Sequence, residues 1–168
     1  GDATMHSRIE DAAALLESTP ATIENGMAEV RPPMLDDYGL LPALQWYAND
    51  FMRRTGIEVE VKGDNADTRL EQGAEIALFR IVQEALNNVA KHAHASRVGI
   101  DLARSGGQLT VKIADDGVGY RAAAGPTARR RSGLGMVTMR ERTQAVGGQL
   151  EIGPAAGGAT RIVVRVPC

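Results

Sequence analysis

Cysteine is almost missing from this chain: the one present, Cys168, is the last residue. That excludes an internal disulfide framework, leaves little for a zinc cluster, and offers no cysteine nucleophile with structure around it; it suits a reducing compartment. No apolar run approaches the roughly 20 residues of a membrane span, and the N-terminus lacks a signal-peptide pattern. Strong charge of one sign is lacking too. A net charge of -2 and a pI near 5.9 give no basic footprint for nucleic acid and no polybasic membrane patch, so no nucleic-acid partner is expected. What is there is 168 residues with 43% hydrophobic content, enough for one domain plus an appendage. The chain opens on Gly1 and reads as a cut piece, compatible with a sensor or membrane segment upstream.

From Met5 to Val30 the positions Ile9, Ala13, Leu16, Ile23, Met27 and Val30 predict a helical stripe, kinked at Pro20. "RPPML" predicts an extended stop, after which Asp36 or Asp37 caps a second helix running to about Arg54 and ended by Gly56. "IEVEV" alternates as a strand does. Residues 71 to 92 read as the strongest helix, with Leu78, Val82, Leu86 and Val89 on one apolar face. Two strands, "RVGIDLA" and "QLTVKIA", flank an "SGG" hairpin turn. A mobile loop is expected to Ser132, then a helix "LGMVTMRERTQAV" stopped at Gly147 and Gly148, then an antiparallel pair "QLEI" and "TRIVVRV". Five strands with helices on one face make an α+β, two-layer α/β sandwich.

Three groups of residues carry chemistry. Glu84 and Asn88, four apart on the strongest helix, share a face, with Lys91 and His92 a turn further on. A carboxylate can orient or deprotonate a nucleophile, an amide oxygen is a hard ligand for Mg²⁺, and an ammonium suits phosphate. Taken alone, such a stripe is more commonly a solvated face. "IADDGVGY" ends an apolar strand in Asp115, followed by Gly117 and Gly119, which permit close backbone approach; an acidic turn is the equally simple reading. "SGLGM" places Gly133, Leu134 and Gly135 at a loop-to-helix junction, where free N–H groups favour phosphate, or where a hinge and N-cap would do as well. Their occurrence together and in this order is what argues for a site.

"FRIVQEALNNVAKHAHAS", "DDGVGY", "GLGMVTMRERTQAVGG" and "GGATRIVVRVP" resemble the N box, two glycine boxes and last strand of histidine-kinase ATP-binding domains. The wording is similar to that of the NarX/DegS/DesK-type subfamily of the GHKL superfamily, and "RPPMLDDYGLLPAL" resembles its join to the dimerisation region. The resemblance implies a Bergerat-type ATP-binding fold over residues 56–168 and a partial dimerisation segment over 1–55. It further implies ATP and Mg²⁺ as cofactors, with Asn88 on the metal, Glu84 as the acidic N-box residue, and Lys91 and His92 near the phosphates. Asp115 would hold the adenine amine, Gly117 and Gly119 would shape the pocket floor, Thr160 would stand near the base, and Gly133, Leu134 and Gly135 would flank a lid over 120–132. A response-regulator receiver domain, self-association through the complete dimerisation region, and a cytoplasmic domain within a membrane-anchored or soluble parent are implied as well.

The phosphoacceptor is not evident. The histidines are His6, His92 and His94. His6 lacks the acidic neighbour of the subfamily, His92 belongs to the N box, and His94 suits a helix end. The chain is therefore expected to bind Mg-ATP without phosphorylating itself. Two other readings are an anti-sigma-factor-type serine kinase, which has no use for "RPPMLDDYGLLPAL", and a non-catalytic nucleotide-responsive module, which would not need Glu84, Asn88 and Asp115.

Overall fold

A computed structural model describes residues 33–63, 69–119 and 128–168, with side chains for 34–63, 69–119 and 135–168. Helix α1 (Pro33–Tyr38) and helix α2 (Leu40–Thr55) precede strand β1 (Glu58–Lys62). Helix α3 (Gln72–Asn88) continues into a π-helical turn over Val89–Ala93. Strands β2 (Arg97–Ser105) and β3 (Gln108–Asp115), helix α4 (Ala128–Ala145), and strands β4 (Gln149–Pro154) and β5 (Thr160–Pro167) follow. The described strands form one sheet in the order β1-β2-β3-β5-β4, with β1 parallel to β2 and the other neighbours antiparallel. The parallel pair requires a crossover, and α3 is that crossover.

Alternation decides the layers. In β2, Val98, Ile100 and Leu102 are buried while Arg97, Asp101 and Ala103 are exposed, and Leu109, Val111 and Ile113 repeat the pattern in β3. The buried face packs on Leu44 and Phe51 of α2, Leu78, Val82 and Leu86 of α3, and Met139 of α4 in one core. The other face is wet. Along one of its rungs Lys62 pairs with Asp101, Asp101 with Lys112, and Lys112 with Val163, whose other neighbour is Glu151. The expected two-layer sandwich is thus present. Gly106 and Gly107, at φ 59 and 75, close the β2–β3 hairpin as its geometry demands.

Several boundaries differ from the sequence reading. Proline is tolerated in a first helical turn, so α1 begins at Pro33 and encloses Asp36 and Asp37, and the next helix has Gly39 at its N-cap with no side-chain cap. The break falls at Gly39, φ 88, where an added Cβ would lie 2.8 Å from the Arg69 side chain. The compact unit runs from Pro33 to Cys168, so α2, grouped with the 1–55 segment by sequence, shares the core of the sheet. Helix α4 starts at Ala128, inside the stretch expected to be a loop, because alanine and arginine are good helix formers. The helix expected over 5–30, with His6, lies outside the described residues, as do residues 120–127 of the expected lid.

Candidate functional site

The polar stripe of α3 is half-buried at Glu84 and Asn88. What covers it is α4: a Cβ built on Gly135 would overlap the Glu84 carboxylate and lie 3.6 Å from Asn88 Nδ2. A glycine there lets α4 approach with the Glu84 carboxylate left in place. On the other side stands Tyr47 of α2, whose ring meets Phe79 edge-on at 5.7 Å. Burial pushes the Tyr47 hydroxyl up against the lowering influence of Arg54, and the carboxylates of Asp50 and Glu84 add to the rise. Glu84 therefore sits within electrostatic reach of α2 and in contact range of α4.

Lys91 and His92 are not on the regular helix. Its α-helical part ends at Asn88, and both basic residues occupy the π turn, with Lys91 exposed and His92 half-buried. π turns gather at functional sites because the extra residue re-aims side chains. The turn is terminated by His94 at φ 49, a left-handed conformation uncommon for a residue other than glycine, so His94 is a helix-end residue as expected.

Asp115 closes β3 half-buried. Its Oδ1 accepts the backbone N–H of Gly117 at 2.9 Å and that of Thr160 at 3.4 Å, and no donor among the described residues is placed on Oδ2. Thr160 opens β5 beside it. Gly117 has no room for a side chain, since a Cβ would overlap the Ala93 carbonyl oxygen, and at Gly119 it would overlap that of Gly158. The Val118 N–H donates to the same Ala93 oxygen at 2.9 Å. Through Ala93 the π turn is joined directly to the glycine segment.

The structure thus brings Glu84, Asn88 and Gly135 into one cluster and Asp115, Gly117, Gly119 and Thr160 into another, with Lys91 and His92 on the turn between. Gly133 and Leu134 are placed differently from expectation: with α4 beginning at Ala128, residues 133–135 lie within the helix and do not open it. Two participants escaped the sequence reading. Tyr47 looks like one more helix residue until its neighbour is known. Asp116 had a signal in the Asp-Asp dipeptide, since adjacent residues at a strand end point to opposite sides. It binds the backbone of Ser96 and Arg97, and its carboxyl is held below the ordinary range, chiefly by the Arg97 N–H and then by the Ser96 hydroxyl.

Comparison with known proteins bears on this arrangement. The family model for histidine kinase-, DNA gyrase B- and HSP90-like ATPases matches residues 73–168. The signal transduction histidine-protein kinase/phosphatase DegS of Brevibacillus brevis is 36% identical over 159 residues, covering 95% of this chain and 40% of that protein. The sensor histidine kinase LiaS of Bacillus subtilis is 36% identical over 141 residues, covering 84% of this chain and 38% of LiaS. The chain spans less than half the length of these relatives. Among solved structures, the histidine kinase domain of the Erythrobacter litoralis EL346 blue-light activated kinase superposes with a TM-score of 0.58 at 23% identity, over 74% of this chain and 58% of that one. The ATP binding domain of PrrB from Mycobacterium tuberculosis does so at 0.55 and 22%, over 76% and 92%. These likenesses support the fold.

Proposed function

This chain belongs to the histidine kinase-, DNA gyrase B- and HSP90-like ATPase family, and from that premise we propose that it is the ATP-binding catalytic portion of a two-component sensor histidine kinase. It binds Mg-ATP and presents the γ-phosphoryl group to a histidine on a dimerisation helix supplied in trans. From there the group passes to an aspartate of a response-regulator receiver domain. The full protein associates with itself through its complete dimerisation region, and this domain works in the cytoplasm, where ATP is at hand. No described helix is long and apolar enough to cross a membrane.

The observation that carries the reading is the junction at Ala93, which sets the amide-and-ammonium end of α3 beside the Asp115 strand end. Asp115 Oδ2 accepts the adenine amine, while Gly117 and Gly119 keep the floor free of side chains. Lys91 and His92 meet phosphate oxygens. Among the described residues no group of three or more His, Cys, Asp or Glu could cage a metal. That fits Mg²⁺, which is commonly held by one or two protein oxygens together with substrate phosphates, and Asn88 supplies such an oxygen. Bound there, Mg²⁺ neutralises charge on the phosphates. An acceptor imidazole nitrogen forms the N–P bond as the bond from γ-phosphorus to the bridging oxygen breaks; ADP leaves, and the imidazole proton passes to a carboxylate, for which Glu84 is the group in this chain. Catalysis of this kind is mostly positioning and charge neutralisation.

Calorimetric titration of ATP with and without Mg²⁺ tests the proposal. Asp115→Asn should weaken binding about tenfold or more, as loss of a hydrogen bond to a charged group does, and Asn88→Ala should abolish the Mg²⁺ dependence. Addition of a separate histidine-bearing dimerisation domain should then yield transfer in trans. Absence of ATP binding by the parent chain would refute it.

A further inference from the structure

Asp116 makes more hydrogen bonds than a turn requires. Its Oδ1 accepts the backbone N–H groups of Ser96 at 2.8 Å and Arg97 at 2.9 Å, and its Oδ2 accepts the Ser96 hydroxyl at 2.7 Å. Its own N–H donates to the Arg97 carbonyl at 3.2 Å. Two residues later Val118 reaches back to Ala93, and Ser96 is held from a third side by the Glu58 N–H at 2.9 Å. Residues 93–97 and 116–118 are in this way fastened to one another along both backbones.

The location is exposed, so water could have satisfied every one of these donors. A carboxylate collecting three donors at once gives instead a charge-assisted, directional fastening. His94, two residues before Ser96 and between the Ala93 and Ser96 attachments, is in a left-handed conformation of the kind that persists where its surroundings over-determine it. On one side of the fastening lie His92, Lys91 and Asn88; on the other lie Asp115, Gly117 and Thr160. The two adjacent carboxylates divide the work, with Asp115 turned to Gly117 and Thr160 and Asp116 turned to the exit of the π turn.

We infer that Asp116 is a positioning residue for the nucleotide: it clamps the exit of the π turn to the end of β3 and thereby fixes the separation between the phosphate-side group and the base-side group. The inference rests on the nucleotide reading above. It makes a statement about linkage. A ligand that spans both groups gains from their being held at the right distance, whereas one that reaches only the base side does not.

The test compares AMP with ATP plus Mg²⁺ on the chain, reading the ratio of their dissociation constants alongside thermal unfolding. In Asp116→Ala the advantage of ATP over AMP should fall about tenfold, a fraction of the roughly hundredfold that a 1 Å misplacement costs. Asp116→Asn keeps an acceptor for the two N–H groups and should recover most of it. If Asp116→Ala fails to fold, Ser96→Ala carries the test with a smaller drop of about two- to threefold, as loss of one neutral donor gives. Affinities for both ligands that fall in equal proportion, leaving the ratio unchanged, would overturn the inference and leave the nucleotide reading intact. A parent chain that binds neither ligand would overturn both.

Discussion

Gly135 and Glu84 stand so close across the α4–α3 contact that a methyl group on the glycine would overlap the glutamate oxygen. The obstructing atom is the end of a flexible side chain, so the carboxylate can yield while the helices stay.

Gly135→Ala should therefore separate stability from activity. Alanine inside a helix gains roughly 0.5–1 kcal/mol over glycine, so the melting temperature should hold or rise. Displacement of Glu84 should at the same time slow phosphoryl transfer to an added histidine-bearing domain by about a hundredfold, the low end of what a positioned proton acceptor contributes. A large fall in melting temperature would mean that the backbone, not the carboxylate, had moved.

Gly117→Ala has no such escape. The clash there is with the Ala93 carbonyl oxygen, a backbone atom already engaged by the Val118 N–H. Overpacking of this kind costs about 1–3 kcal/mol, which urea unfolding would register, and ATP binding should be lost with it. A variant as stable as the parent and equally able to bind would refute the close approach.

Acid should reveal Asp116. A carboxyl held below its unfolded value stabilises the fold above that value, about 3.9 for aspartate, and ceases to do so as pH falls through the folded value. The gap in urea midpoint between the parent and Asp116→Asn should be flat from neutrality to about pH 5 and shrink below about pH 4. A gap that persists undiminished in stronger acid would mean that the carboxylate's charge contributes nothing.

Incubated alone with Mg-ATP, the chain should acquire no phosphate that is stable to base and labile to acid. The histidines on described elements are His92 in the π turn and His94 at its left-handed end, neither on a dimerisation helix. Label on the chain would point to His6 and to a misreading of the N-terminal segment.

Much of this was legible in the sequence because the responsible forces are local. The apolar spacing of Leu78, Val82 and Leu86 made α3, the strand alternation made β2 and β3, and two adjacent glycines made their turn. Glu84, Asn88 and Asp115 could be named from residue type and order. What was not legible depends on contacts distant in sequence. The π turn is joined to Val118 through Ala93, the role of Asp116 is exercised on Ser96 and Arg97, and Tyr47 matters through Phe79 and Glu84. The early start of α4 is a miss of a second kind: beside Gly125 and Pro126 the alanines and arginines look like loop, although both favour helix.

The described helices pack on one face of the sheet and leave its second face polar. Lys62, Asp101, Lys112 and Glu151 lie along one rung, and their signs alternate across neighbouring strands, with Lys112 and Glu151 on either side of Val163. Lys62 pairs with Glu60 on its own strand at 3.0 Å and Glu151 with Arg165 of β5 at 2.7 Å, so charge on this face finds partners within the face. Anything fused or tethered to this face should leave ATP binding undisturbed.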